Sequence, residues 1–479
     1  MSATTKHFIG GEWRTGDGPT MTDLNPTTGK PLGEFSIGTA EEVDLAVKAA
    51  RDAFDGGWRD ATPTVRRKLL LKFAELLSAN ATEIGKLASE DMGMPWLFTI
   101  GETAFSAEYV EYFAGWADKL TGETIPLSAQ NTLDYTMREP VGVVGAIVPW
   151  NSAVSLTVWK LAPALATGNT IVLKPSELAP LAALRMMDLI AEAGFPPGVV
   201  NLVTGDGPQT GSALVEHPGV GVIAFTGGTA TGRKVAERAG AQLKRVQLEL
   251  GGKSANIVFA DADIDSAAVQ AGVGCFINTG QQCIAGSRVL VQESIQDEFL
   301  QKVTDFARNW AVGDPLQPGT QMGPLITEGA LDRVLGFIDD ARGTAEIAIG
   351  GERLGGDLAD GFFVGPTVVA NVRNDMRVAR EEIFGPVLSV IPFKDEAEAI
   401  AIANDTPYGL AGGVWTNDLH RAHRVARAIQ AGTVWVNSWL TLNAQAPFGG
   451  YKASGMGREG GREALDTYLQ TKNVYVQMR

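Results

Sequence analysis

Val141-Gly142-Val143-Val144-Gly145-Ala146-Ile147-Val148-Pro149-Trp150-Asn151 is a short β-branched run that stops on a proline, an indole and an amide. Its length and composition predict a buried strand over 141–148 with a polar turn just beyond its carboxyl end. The chain then alternates. Helices are expected over 155–167, 178–193, 209–216 and 232–240, and strands over 170–173, 199–203, 220–225 and 246–250. Strands alternating with helices of this length predict a doubly wound parallel sheet, whose ligands bind beyond the carboxyl ends of the strands. The residues at that edge are Pro149-Trp150-Asn151, Lys174-Pro175-Ser176-Glu177, Gly205-Asp206-Gly207 and Thr226-Gly227-Gly228-Thr229.

Upstream, residues 8–35 read as short strands and turns. Thr39 and Glu42 form a capping-box pattern ahead of an apolar face made by Val43, Ala46, Val47 and Ala50. Further helices are expected over 64–91 and 96–120. At 121–140 the pattern switches to that of a β-ribbon, which suits an interface. Downstream, a second α/β half is expected, with strands near 256–259, 287–292 and 386–393. Its helices fall near 263–277, 294–311, 327–341, 395–403 and 417–430. Residues 343–380 read as a loop with short strands, and 472–477 alternate like an edge strand.

A chain of 479 residues exceeds one ordinary core, so two or three domains are expected. The net charge of −15, with no basic run, argues against nucleic acid or an anionic membrane as the main partner. No stretch reaches the roughly 18 apolar residues of a membrane span. Met1–Gly10 carries Lys6 and His7 and lacks the apolar core of a signal peptide. Two cysteines give no disulfide framework and no CxxC, which reads as cytoplasmic. Four histidines do not build a metal site; His420 and His423 sit among Arg421 and Arg424 on what reads as a solvated face.

The two cysteines differ in setting. Cys275 lies in the apolar Gly272-Val273-Gly274-Cys275-Phe276-Ile277, whereas Cys283 lies in Asn278-Thr279-Gly280-Gln281-Gln282-Cys283-Ile284-Ala285-Gly286-Ser287. Small polar neighbours let a substrate approach a thiol. Upstream, Glu249-Leu250-Gly251-Gly252-Lys253-Ser254 sets a carboxylate before a glycine pair, so a nucleophile and a base are both available for covalent catalysis. Taken alone, a cysteine in such a loop is more commonly a small buried hydrophobe. Gly227-Gly228-Thr229-Ala230-Thr231-Gly232 follows an apolar strand and opens a helix, so it is either a pyrophosphate turn or a tight connection. Gly205–Gly211 fails the GxGxxG spacing, and Gln247 stands where a P-loop needs glycine before Gly252-Lys253-Ser254. No GxSxG nucleophile elbow occurs.

Taken in order, these motifs resemble the aldehyde dehydrogenase superfamily, specifically its hydrolytic, NAD(P)-dependent branch. The resemblance runs from about Phe8 to Val476, and Glu381–Val387 and Pro447-Phe448-Gly449-Gly450-Tyr451-Lys452 complete it. It implies an α/β fold with a Rossmann-like cofactor domain (1–120 and 141–250), an α/β catalytic domain (251–450) and a small β oligomerisation ribbon (121–140 with 467–479). It implies Cys283 as nucleophile, Glu249 as general base, Asn151 as oxyanion donor and Lys160 as a nearby charge-handling lysine. Trp150, Lys174, Ser176, Glu177, Gly207, Gly227, Gly228, Thr229, Gly232, Glu382 and Phe384 match cofactor contacts. Leu156, Trp159, Ile277, Ile284, Trp439, Leu442 and Phe448 match the substrate pocket, with no charged anchor evident.

The implied reaction takes a small-molecule aldehyde to its acid with NAD, NADP being possible, in a homodimer or homotetramer. Apolar aliphatic, terpenoid or aromatic aldehydes are expected, because the tryptophans that cage betaine aldehyde in relatives are Ile277 and Phe448 here. Three departures stand out. Ser152 and Ala153 replace an aromatic–proline pair, Gly228 replaces a serine, and Gln470 stands where several relatives place a second glutamate near the site. Two rival readings are an acylating relative that passes the thioester to coenzyme A and a non-catalytic relative of the lens-crystallin type.

Overall fold

The structure, a computed structural model, describes residues 6–478. Met1–Thr5 and Arg479, which the readings of the leader and of the last segment include, lie outside the described residues.

An eight-stranded sheet carries the cofactor-side motifs. Its centre is parallel and runs Arg245–Glu249, Val222–Thr226, Val143–Ile147, Thr170–Lys174, Val200–Leu202. The chain starts in the middle, winds outward to Val200–Leu202, then returns to the other side of its first strand. Val143–Ile147 and Val222–Thr226 therefore flank the point where the winding reverses, the crevice where open α/β sheets take ligands. Asn151 and Gly227 lie just past those two carboxyl ends. Lys6–Ile9, Glu12–Thr15 and Gly455–Met456 extend the edges.

A seven-stranded sheet forms the second half, ordered Glu346–Ile349, Thr367–Ala370, Val387–Phe393, Arg288–Gln292, Ala255–Val258, Ala411–Trp415, Thr433–Val436. Two of these strands escape sequence reading. Ala411-Gly412-Gly413-Val414-Trp415 looks like a loop, yet both glycines are required. A Cβ on Gly413 would meet the Trp439 ring at 2.6 Å, and one on Gly412 would meet Ile429 at 2.9 Å. Thr433–Val436 pairs with it in parallel.

The capping box is present: Glu42 N–H donates to Thr39 Oγ1 at 3.2 Å and Thr39 N–H to Glu42 Oε2 at 2.7 Å. The expected single helix over 64–91 is two, Pro63–Ala79 and Ala81–Met92. Asn80 breaks it, its side chain donating back to Leu76 O at 2.7 Å. The helix expected over 96–120 stops earlier, as Trp96–Ala114. The helix expected from 232 starts earlier, as Thr229–Gly240, so the Gly227-Gly228 turn is its N-terminus.

The ribbon is a three-stranded sheet in which Leu469–Gln477 pairs antiparallel with Thr132–Pro140 along its whole length, and Thr124–Ile125 completes it. Alternation sets Leu133, Tyr135, Met137, Val474 and Val476 on one face, and Leu133, Met137 and Val476 are exposed. Among the described residues no helix is long and apolar enough to cross a membrane.

Candidate active site

Three turns meet at the crevice. The first carries Cys283. Helix Ile264–Phe276 ends, and Asn278, Thr279 and Gly280 follow with φ of 50°, 56° and 70°. Left-handed backbone at non-glycine residues costs about 1–3 kcal/mol each and persists only where the surroundings enforce it. Buried hydrogen bonds do so here. Asn278 Nδ2 donates to Asn151 O at 2.8 Å, Thr279 Oγ1 to Gly323 O at 3.0 Å, and Ile326 N–H to Gln281 Oε1 at 2.9 Å. The loop leaves Cys283 partly accessible and packed against the cluster that holds Trp159, Ile284 and Phe448.

The second turn carries Asn151, whose amide donates to Gln281 O at 2.9 Å. That fixes its NH2 towards the Cys283 loop with a second hydrogen in hand. The third follows strand Arg245–Glu249. A Cβ on Gly251 would meet Glu382 Oε2 at 2.1 Å, and one on Gly252 would meet Cys283 O at 2.3 Å. The glycine pair therefore lets strand Arg245–Glu249, the Cys283 loop and the Glu382 turn close on one another. Gly252 N–H also donates to Glu382 Oε1 at 3.0 Å.

Glu249 is buried. Its Oε1 accepts from Gln247 Nε2 at 3.2 Å, and its Oε2 has no partner. Burial raises its pKa well above the usual carboxylate range, the Glu459 charge adds to that, and Lys160, Arg458 and the Gln247 bond oppose it. Lys160, fully buried, donates to Gln247 Oε1 at 3.0 Å and pairs with Glu459. Burial pushes the Cys283 thiol up to about 12, with the charges of Glu382 and Glu249 adding. A carboxyl with a raised pKa, near enough for its charge to act on the thiol, suits removal of a proton from an attacking nucleophile.

Glu459 is the residue sequence reasoning missed. It lies in Gly457-Arg458-Glu459-Gly460, which reads as loop, and it reaches Lys160 only through the fold. Gln470 itself is exposed on the ribbon strand, opposite Glu139, and donates to Pro140 O at 3.4 Å.

On the cofactor side, Lys174 is buried and donates to Pro175 O at 2.8 Å and to Glu177 Oε2 at 3.2 Å. Ser176 is buried beside them. A Cβ on Gly207 or Gly228 would meet nothing within 4 Å, so a ligand can approach that backbone, whereas one on Gly227 would meet the Phe225 ring at 2.6 Å and one on Gly232 Leu250 at 2.3 Å. Helix Thr229–Gly240 has no side-chain cap, and Thr226 Oγ1, buried at the strand end, has no partner. Free N–H groups and an orphan hydroxyl at a helix N-terminus fit a pyrophosphate. Thr229 Oγ1 instead accepts from Gly251 N–H at 3.2 Å. Trp150 and Phe384 meet edge-on at 5.6 Å, with Phe384 held at φ 57°.

On the substrate side, Trp159 stacks on Tyr109 at 5.4 Å and meets Phe448 edge-on at 5.4 Å. Leu156 and Leu442 pack against the same cluster. A cavity of about 30 Å³ opens between Tyr109, Trp159, Leu442 and Phe448. Ile277 is half-buried outside that cluster. Trp439 is enclosed by glycines: Cβ atoms on Gly274 and Gly286 would meet its ring at 2.5 and 3.1 Å, so it packs against both ends of the Cys283 loop. One charged group does approach this side. Glu102 Oε1 accepts from Ser155 N–H at 2.9 Å, one residue before Leu156, and burial pushes its carboxyl up to about 7.

Comparison with known proteins identifies the family. The model of the Aldehyde dehydrogenase family matches residues 13–474. An aldehyde dehydrogenase of Aspergillus niger is 45% identical over 98% of this chain and 95% of its own length. Cytosolic aldehyde dehydrogenase 1 of Rattus norvegicus is 46% identical over 99% and 95%. The crystal structure of betaine aldehyde dehydrogenase from Staphylococcus aureus in complex with NAD+ superposes with a TM-score of 0.98 at 40% identity, covering 100% of this chain and 95% of that one. With a family model spanning nearly the whole sequence and relatives this similar over their full length, the chain belongs to the aldehyde dehydrogenase family.

Proposed function

We propose that this chain oxidises an aldehyde to its carboxylic acid with NAD, through a thiohemiacetal and then a thioester on Cys283. The observation that carries this is the convergence of the Cys283 loop, Asn151 and Glu249 at the reversal point of the sheet. Cys283 Sγ adds to the aldehyde carbon. The oxyanion is received by the free Asn151 hydrogen and the Cys283 N–H; losing one such donor typically costs about 10²–10³ in rate. NAD, when bound, supplies the hydride acceptor. Glu249 then takes a proton from water through Oε2, and the attacking hydroxide releases the acid. Aldehyde-dependent absorbance at 340 nm with free acid formed in the absence of coenzyme A tests this. Absence of absorbance growth across a broad aldehyde panel would support the non-catalytic rival, and a requirement for coenzyme A the acylating one.

Lys174 and Glu177 would hold the adenine ribose, the Gly228–Thr229 helix start the pyrophosphate, and Glu382 with Phe384 the nicotinamide side. The first sheet and its helices (1–120, 141–250) then form the cofactor domain, and 251–450 the catalytic domain. Glu177 meets a ribose 2′-hydroxyl and disfavours a 2′-phosphate, although Lys174 partly offsets its charge. NAD should therefore give the higher kcat/KM; a clear NADP preference would overturn this assignment.

The aromatic and aliphatic wall favours apolar aliphatic, terpenoid or aromatic aldehydes over semialdehydes bearing a carboxylate, which Glu102 would also repel when ionised. Highest kcat/KM on succinic semialdehyde or betaine aldehyde would refute this preference. The apolar face of the ribbon and the open backbone of its edge strand Leu469–Gln477 favour a homodimer or homotetramer. Light scattering should show an assembly; a stable monomer at micromolar concentration would count against it.

A further inference from the structure

We infer that Gln247 is a positioning residue that orients Glu249 for water attack on the thioester and separates it from the buried Lys160–Glu459 pair. This rests on Glu249 being the general base.

Gln247 and Glu249 lie two apart on strand Arg245–Glu249, so their side chains share one face. Gln247 is 1% exposed and touches both partners: its Nε2 lies 3.2 Å from Glu249 Oε1, and its Oε1 lies 3.0 Å from Lys160 Nζ. Its orientation is dictated by chemistry. An ammonium has donors only, so the amide oxygen must face Lys160, and the NH2 must then face Glu249. The close backbone of Gly457, where a Cβ would meet Gln247 Cγ at 3.0 Å, leaves the side chain little room to turn.

Three consequences follow. The amide donor ties Glu249 Oε1, which leaves Oε2 as the free oxygen for a water. A hydrogen bond to the carboxylate favours its charged form, against burial and the Glu459 charge that favour the neutral one. An amide neither gives nor takes a proton near neutrality. Gln247 therefore conveys the polarity of Lys160 to Glu249 while blocking a direct proton exchange between them. The charged and titratable groups around Glu249 are Lys160 from helix Ala153–Ala166, Arg458 and Glu459 from the C-terminal loop, and Cys283.

The test is Gln247→Met, similar in length and without polar atoms, compared with the parent and with Glu249→Gln. Losing a hydrogen bond to a charged group should slow steady-state turnover at pH 7 by about 10–100-fold. The first-turnover NADH burst should keep its amplitude, and the acid limb of the kcat profile should move to higher pH, so that activity recovers in alkali. Gln247→Glu should move that limb further in the same direction. Loss of burst amplitude with an unmoved pH limb would mean a structural role only and would overturn the inference, as would parental turnover. If Glu249→Gln itself kept parental turnover, the base assignment would be the part that fails. A dead Glu249→Gln beside an unaffected Gln247→Met would sink this inference alone.

Discussion

Glu249→Gln should release up to one NADH per active site in a burst and then turn over about 10²–10⁴-fold more slowly than the parent. The substitution leaves Cys283 and Asn151 in place, so addition and oxidation proceed, and the acyl group then waits on Cys283 for a water without a base. Intact mass should show the acyl-enzyme. Two neighbouring carboxylates should not take over, and of these Glu382 accepts from Gly252 N–H. Glu459 is held by Lys160, and the Gln247 amide bridges Lys160 to Glu249. The parent supplies a second check. Burial holds the Glu249 carboxyl well above its ordinary pKa, so kcat should fall as pH drops through that raised value, because a protonated carboxyl takes no proton.

Stability gives the control. A carboxyl whose folded pKa exceeds its unfolded pKa binds protons more tightly when folded, so stability declines as pH rises from the unfolded value through the folded one. Glu249→Gln removes that term, and its thermal midpoint near pH 8 should match or exceed the parent's. A lower midpoint would assign the lost turnover to damage. Near-parental turnover would refute the base assignment. A burst lost even in alkali would mean that Glu249 is needed before the thioester forms.

The cofactor half was legible because its strands are short, mostly apolar runs that alternate with helices, and their polar ends mark the ligand edge without any three-dimensional knowledge. Local context placed Asn151 at the ligand edge and Glu249 and Cys283 beside glycine turns, and the roles proposed for them came from the resemblance. What stayed hidden depends on partners far away in sequence. Ala411–Trp415 is a strand because Trp439 and Ile429 fill the space its glycines leave. Glu459 pairs with Lys160, 299 positions away, and nothing around Gly457-Arg458-Glu459 announces a buried ion pair. Gln247 looked like a failed P-loop glycine, and its role follows only from the two groups it separates. Glu102 sits on a helix whose polar face reads as solvated, yet it meets the start of the helix that carries Leu156 and Trp159.

Cys283→Ala should abolish both burst and turnover, and Cys275 cannot rescue it. Both thiols are free, but Cys275 is 0% exposed among Val258, Phe276, Val289 and Trp415. Burial pushes its thiol up to about 12, and no path leads an aldehyde to it. Cys275→Ala should therefore keep the burst and near-parental turnover, and iodoacetamide should modify one thiol in the parent and none in Cys283→Ala. The rate of that modification also reads the local charge. Cys283 is pushed up by burial and by Glu382 and Glu249, and only the thiolate attacks. Modification of the enzyme without cofactor should accelerate with pH from neutrality into alkali. A plateau near pH 7 would show the thiol already ionised there, and the upward shift would be wrong. In Glu249→Gln one neighbouring negative charge is gone, so the same rise should begin at lower pH. A thiol that alkylates faster in that variant while turnover collapses would separate the two roles cleanly: Glu249 raises the Cys283 pKa at rest, and its proton uptake is required once the thioester has formed.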